Sequence, residues 1–521
     1  MQRRSGAVFW SGLEAGCAGL LSFASAFLIA RIVGPSELGI AAVVVAPQVL
    51  LCVAVNALFA DAIAQRATLD EATASSAFWA SVAVGCAAAL IQAAIGPLLA
   101  LTFDDPRLPA MAVLLALALP LVGAGGAAQG ILTCQRRYRA LAGRTIIGQG
   151  LGTAIGVALA LRGAGAWAVV AQQATTSCLG AATLFVRSGW RPRLCCRAAP
   201  VRALLAVGLP LVSATLVQHG RYRLFVLAIG DMTGAATLGQ MHLAFRLVDT
   251  VRDLTATALW RLMLPIFAAR QHDQSQLSAT IDRTLRLSGL VMFPLWGAMA
   301  LTAGPFVALL LGPAWTASAA AALPLIGLAF WTSLAFPAGV AAVARGATGY
   351  TLAANLAATA LTLGGAMLLR PETPFAASLI WVAAQLVVTP YAVVMSARAL
   401  RLPPLRPLRA GVRPALLTGF ATFAAFLAAS LPGTPSAPLA QLILRLAVFA
   451  VVLLPTVLWL LRTDLREAWG AAGLDALLPS PASRRSAPSP VERERGFVTS
   501  AASAPLPLAG EGEARREATG G

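Results

Sequence analysis

The sequence contains no lysine: all 39 of its basic residues are arginine. That absence excludes a Walker A loop, whose lysine reaches the nucleotide phosphates, and any Schiff-base lysine. Charge of either sign is scarce, at 12% of residues, against about 25% in soluble domains. Histidine numbers only 3, and the adjacent Cys195 and Cys196 have no second pair or histidine at ligand spacing, so no metal site and no cofactor is expected. Long polar loops are missing too. Loops on one side of the apolar runs span about ten residues or fewer, too short to hold the site of a lipid-linked glycosyltransferase or a polysaccharide polymerase. No catalytic residue is assigned, and the chain is not expected to be an enzyme.

What is present is hydrocarbon. Hydrophobic residues make up 58% of the 521 positions, with a mean hydropathy of +0.77. Apolar runs long enough to cross ~30 Å of lipid recur throughout. They fall near 8–30, 39–62, 76–102, 109–133, 145–162 and 165–186, then near 204–230, 236–267, 285–311, 318–344, 350–369 and 374–397, with 414–430 and 440–461 last. These fourteen spans predict an all-α polytopic membrane protein. Basic Met1–Arg4 followed by a long apolar run, with another run close behind, reads as a first span rather than a cleaved signal. Arginine is concentrated in alternate loops, at Arg136, Arg137, Arg139 and Arg144, at Arg187 to Arg202, and at Arg398 to Arg413. By the positive-inside rule those loops are cytoplasmic, as are both termini, in a bacterial inner membrane. The arginine is then a topology signal aided by anionic headgroups, and no nucleic-acid partner is expected. Residues 480–521, rich in Pro, Ser, Ala, Gly, Arg and Glu, read as a disordered tail.

An internal repeat organises the spans. Arg31-Ile-Val-Gly34-Pro-Ser-Glu-Leu38-Gly39 follows span 1, and Asp231-Met-Thr-Gly234-Ala-Ala-Thr-Leu238-Gly239 follows span 7. A second pair, Ala116-Leu-Ala-Leu-Pro120-Leu-Val-Gly123 and Ala320-Ala-Ala-Leu-Pro324-Leu-Ile-Gly327, stands at nearly the same offset. Six-helix units preserve orientation, so the repeats are parallel, in pseudo-twofold relation about an axis along the membrane normal. The expected domains are an N-lobe at 1–200, a C-lobe at 201–400, two C-terminal spans within 401–465, and a cytoplasmic tail at 466–521.

Ala30-Arg31-Ile32-Val33-Gly34…Leu38-Gly39 and Ile229-Gly230…Gly234…Leu238-Gly239 resemble segments of the polysaccharide transporter branch of the MOP exporter superfamily, closest to its colanic-acid-type oligosaccharide flippases. Leu264-Pro265-Ile266-Phe267, Phe293-Pro294, Leu311-Gly312-Pro313-Ala314-Trp315 and Arg136-Arg137-Tyr138 extend the similarity over roughly residues 5–462. The resemblance implies two lobes with spans 13 and 14 appended. It also implies alternating-access movement of an undecaprenyl-diphosphate-linked oligosaccharide for lipopolysaccharide, capsule or exopolysaccharide assembly, alongside membrane lipids, a polysaccharide polymerase and glycosyltransferases. A lipid II flippase or cation-coupled drug antiporter of the same superfamily, and a non-transporting scaffold of a polysaccharide synthase complex, are the other readings.

Charges within spans are the candidate functional residues, because each costs on the order of 2.5–3.5 kcal/mol at a helix centre. His242, Arg246, Asp249 and Asp253 follow spacings that put them on one stripe of span 8, extended by Trp260, with Arg252 beside it. Span 7 adds His219, Arg221 and Arg223. Arg221, Arg223 and Arg246 should share one depth, where guanidiniums can grip a diphosphate, with His242 and Arg252 as further substrate-binding candidates. The other reading of these charges is a structural network of intrahelical salt bridges. Glu14, Asp249 and Asp253 are candidates for ion coupling or cavity lining, since a carboxyl in low dielectric can carry a proton. Trp10, Trp79, Trp167, Trp190, Trp296, Trp315, Trp331 and Trp381 read as interfacial anchors, and Asp61 as an interfacial residue.

Overall fold

In a computed structural model, the chain is described except for residues 1, 67–69, 136, 348, 433, 435–436 and 472–521. The side chains at 2–15, 17–18, 214, 218, 407, 456 and 459–471 are also outside the described set, and with them Glu14 and Trp10. The expected disordered tail lies beyond the described residues. Residues 1–455 form one compact unit and 456–521 a second.

Every regular element among the described residues is helical, which is how a backbone satisfies its own polar groups in lipid. The first half comprises α1 (Gln2–Val33), α2 (Pro35–Ala64), α3 (Glu71–Phe103), α4 (Leu108–Ala116), α5 (Leu119–Cys134), α6 (Tyr138–Leu161) and α7 (Ala166–Ser188). The second comprises α8 (Ala198–Thr233), α9 (Ala235–Ala268), α10 (Gln274–Leu311), α11 (Thr316–Ala344), α12 (Gly349–Leu369) and α13 (Pro374–Ala399). Last come α14 (Arg406–Ala429) and α15 (Pro438–Ala471). Local chemistry sets the boundaries. Asp70 and Asp273 cap α3 and α10 by accepting hydrogen bonds from Thr73 N and from Ser275 N and Gln276 N. Thr373 caps α13 in the same way, ahead of Pro374. The rod expected at 109–133 is two helices, α4 and α5, because Pro120 cannot donate to the preceding turn.

Among the described residues, twelve helical segments are long and apolar enough to cross a membrane. This is a multi-pass membrane protein, but the expected count of fourteen is not confirmed. Only Gly19–Val33 of α1 is described as an apolar stretch, and it is short. α9 is excluded by Arg246, Asp249, Arg252 and Asp253 at its centre, and α8 qualifies only over Ala198–Val217, before His219, Arg221 and Arg223.

The repeat is visible in the packing. In the first half α1 packs on α6, α2 and α3 on α5, and α7 on both α5 and α6. In the second half α8 packs on α12, α9 and α10 on α11, and α13 on both α11 and α12. Gly34 and Gly234 have nearly the same left-handed-region backbone, φ 85°, ψ 168° and φ 81°, ψ 166°, which favours glycine at the start of α2 and α9. The next repeated glycine joins the halves. A Cβ on Gly39 would stand 1.8 Å from the Ala235 carbonyl oxygen, and one on Gly239 would stand 1.9 Å from that of Pro35. Pro35 and Ala235 are themselves repeat-related, so the contact is reciprocal. Around it Leu38, Ala41, Leu238 and Met241 are buried, and Arg31 Nη1 donates to Leu310 O at 2.9 Å. The bundle is therefore shut at this turn end. The second sequence repeat is less equivalent: Gly123 abuts the Ser81 backbone, whereas Gly327 faces open space on an unbroken α11.

A polar clamp braces the same end. Glu37 at the start of α2 accepts from Ala166 N at 2.7 Å and from both terminal nitrogens of Arg107 at 3.0 Å. Arg107 also donates to Asp105 at 2.8 Å, which holds the Asp105 carboxyl below its ordinary value. Trp296 and Trp315 are 1% exposed and Trp381 is 6% exposed. These three belong to the core and are not interfacial anchors, because nearness to a helix end says nothing about which side of the helix a ring occupies.

Two predictions follow from this end of the bundle. Gly39→Val or Gly239→Val drives a side chain into a carbonyl that cannot yield, so each lowers stability by about 3 kcal/mol, the upper range for overpacking. Thermal unfolding in detergent measures it, with Gly364→Ala, where nothing lies within 4 Å, as a control that leaves stability unchanged or slightly raised. The folded Asp105 pKa is depressed, so its stabilisation is present above the unfolded value of about 3.9 and fades as pH falls through the folded value. Unfolding profiles between about pH 5 and 3 should accordingly be flatter in Arg107→Ala than in wild type.

Candidate functional site

α8 and α9 run antiparallel through the Gly234 turn, so residues equally far from it share a depth. Arg223 precedes the end of α8 by ten residues and Arg246 follows the start of α9 by eleven, about 15–17 Å from the turn at 1.5 Å per residue. Depth is therefore shared, as expected for Arg221, Arg223 and Arg246. Direction is not, because residues i and i+2 diverge by about 200° around a helix. Arg223 and Arg246 line one cavity with His242. Arg221 turns the other way, into the second half. Its Nη1 donates to Gln385 Oε1 at 2.7 Å, and its Cζ lies 4.0 Å from the centroid of the buried Trp381 ring. Arg221 is a packing residue here, not a partner of the other two.

Aromatic packing positions the remaining pair. Tyr222 lies against Phe245 at 4.9 Å between ring centroids, and its hydroxyl shares a 2.9 Å hydrogen bond with His242 Nδ1. Arg223 Cζ lies 5.2 Å from the same tyrosine ring. Neither Arg223 nor Arg246 forms a salt bridge among the described residues. Desolvating an unpaired ion is worth several kcal/mol, so these two guanidiniums require water or an anion in the cavity.

The acidic candidates behave differently. Asp249 pairs with Arg252 at 2.8 Å, and Arg252 reaches Asp253 at 3.3 Å. The intrahelical network considered from sequence thus exists, but it is centred on Arg252, which is exposed and does not line the cavity. The lining stripe of α9 runs His242, Arg246, Thr250, Asp253, Thr257 and Arg261. Asp249 falls off it, and Trp260 packs toward Phe336 instead. His219 is exposed, as is Asp61 near the far end of α2.

Opposite the cationic wall stands one that sequence reasoning missed. Ser22 and Ser25 of α1, Gln149 of α6, and Gln172, Gln173 and Thr176 of α7 line the same cavity of about 180 Å³. Gln149 also lines a contiguous cavity of about 500 Å³ between α1 and α9, and a third of about 220 Å³ within the first half. In that third cavity Arg144, taken from sequence as a loop arginine, lies within α6 and donates to Gln129 Oε1, which also accepts from Asn56 Nδ2 at 3.2 Å. A signal for this wall existed: α6 and α7 have the lowest mean hydropathy of the twelve spans, 1.3 and 1.2. The α1–α9 seam is open to the cavity, whereas its repeat counterpart, between α8 and α2, is tightly packed: a Cβ on Gly208 would meet Leu58 O at 1.9 Å. A separate apolar cavity of about 510 Å³ lies among α10, α11, α14 and α15, lined by Trp296, Phe330, Phe423 and Phe426.

Two lobes of repeated helix packing around a polar cavity define the fold of the MOP superfamily transporters. A lipid II flippase, MurJ, in an inward closed conformation superposes with a TM-score of 0.70 over 85% of this chain and 98% of that one, at 11% identity. An inward-facing multidrug resistance MATE family transporter of the MOP superfamily gives 0.55 over 78% and 95%, at 14% identity. Residues 28–320, more than half of the chain, match the polysaccharide biosynthesis protein family, and the chain belongs to that family. It is 25% identical over 305 residues to the succinoglycan biosynthesis transport protein ExoT of Rhizobium meliloti (strain 1021). That match spans 58% of this chain and 62% of the relative, less than two thirds of the relative's length.

The two kinds of arginine separate by experiment. Arg221→Ala leaves Gln385 without its donor and Trp381 beside a void, so thermal stability should fall by about 2–3 kcal/mol. Arg223→Ala with Arg246→Ala removes unpaired charge and should leave the unfolding temperature unchanged or raised.

Proposed function

We propose that the chain is a flippase that carries an oligosaccharide, joined to its polyprenol by a diphosphate, across the bacterial inner membrane for polysaccharide assembly. The observation that carries the reading is the convergence of Arg223 and Arg246 from antiparallel helices on one cavity, with no carboxylate among the described residues paired to either. A guanidinium is a fixed fork of donors suited to phosphate oxygens, and two of them complement a diphosphate. With the arginine-rich loops cytoplasmic, the shut turn end faces outward and the cavity opens inward. Alternating access then requires the Gly39–Gly239 crossing to part while the opposite end closes. The open α1–α9 seam lets the polyprenol remain in lipid while its headgroup sits inside, and the apolar cavity beside α14 and α15 suits hydrocarbon. A cation antiporter fits less well, because Asp253 is the carboxylate on the α9 stripe and it contacts Arg252.

The test is export of lipid-linked glycan by the Arg223→Ala/Arg246→Ala variant at normal membrane abundance. Each charge-assisted hydrogen-bonded contact contributes about 1.5–3 kcal/mol, so the double variant should lose at least a hundredfold in headgroup binding and most of its export. Wild-type export from this variant would exclude the diphosphate grip and favour a scaffold.

A further inference from the structure

The two walls of the cavity differ in kind. The second-half wall presents Arg223, His242 and Arg246, while the first-half wall presents Ser22, Gln149, Gln173 and Thr176, all neutral. A guanidinium only donates hydrogen bonds, whereas a primary amide offers a carbonyl and an NH₂ side by side and a hydroxyl does both. That is the complement of a sugar ring, whose hydroxyls also donate and accept. Among the described residues, the side chains of Gln149 and Gln173 have no hydrogen-bond partner in the protein, although both stand at a depth where lipid would leave an amide unsatisfied. Among the described residues no Phe, Tyr or Trp side chain lines this cavity or the larger one contiguous with it, so recognition there rests on hydrogen bonds. Gln149 lies where three cavities meet, within the space that a group held by Arg246 would extend into.

We propose that Gln149 and Gln173 are specificity-determining residues that read the hydroxyls of the sugar next to the diphosphate. This rests on the diphosphate reading above and divides the labour: the second half grips the charged linkage, and the first half senses whether a sugar is attached. A flippase built this way prefers the glycosylated lipid over the bare diphosphate, because only an attached sugar adds hydrogen bonds to these amides.

The probes are polyprenyl diphosphate and the same lipid carrying one glucose, galactose or N-acetylglucosamine, titrated onto the full-length protein in nanodiscs. Wild type should bind at least one glycosylated probe about tenfold or more tighter than the bare diphosphate, the equivalent of one or two net hydrogen bonds. Gln149→Leu with Gln173→Leu should erase that preference and leave affinity for the bare diphosphate unchanged. Gln149→Ala with Gln173→Ala, which removes the amides without adding bulk, should do the same, and retained binding of the bare probe reports correct folding. A preference that survives in both variants, or that wild type never shows, overturns the proposal. Failure of the diphosphate reading looks different: Arg223→Ala/Arg246→Ala would then bind the bare diphosphate as tightly as wild type.

Discussion

Two backbones touching without side chains between them set the geometry of this molecule. At Gly39 and Gly239 the halves approach so closely that a single added carbon has no room. Because each glycine meets the repeat-mate of the residue that the other meets, the crossing defines a local twofold relation between α2 and α9. The seal at that end, the polar clamp of Glu37 with Arg107, and the cavity that opens below all take their positions from it. Small residues let helices approach closely in lipid, where no hydrophobic force distinguishes a neighbouring helix from an acyl chain.

Below the crossing the halves diverge in chemistry while keeping the same architecture. The packing pairs of the first half recur in the second, yet the first half faces the cavity with amides and hydroxyls and the second with guanidiniums. Arg221 shows how the second half tolerates its charge: one guanidinium is withdrawn onto Trp381 and Gln385, while two residues on, Arg223 is left facing the cavity. Arg252 absorbs the nearby carboxylates. What faces the cavity at mid-depth is thus a selected part of a larger set of charges.

Position along a helix was readable from sequence, and position around it was less so. The repeated Gly34 and Gly234, the α8–α9 turn and the common depth of Arg223 and Arg246 follow from spacing alone. The turn of Arg221 away from the cavity was missed, although its two-residue offset from Arg223 puts the two on opposite sides of α8. Trp296, Trp315 and Trp381 were assigned to the interface by depth, but their burial depends on which helix lies beside them, which only tertiary packing decides. Gln149 and Gln173 were overlooked for a related reason. A neutral polar residue in a span registers only as a lower mean hydropathy, with no charge to demand an explanation. The break between α4 and α5 was foreshadowed by Pro120, whereas the seam between α1 and α9 depends on an asymmetry between repeats that no local motif encodes.

The crossing at Gly39 and Gly239 lies within an apolar seam in which Leu38, Ala41, Leu238 and Met241 are buried. Parting it re-exposes that hydrocarbon, so the shut end is held by burial as well as by close fit. Bare backbone at the centre of the seam leaves no side chains to interlock there, so the fit is close without being keyed.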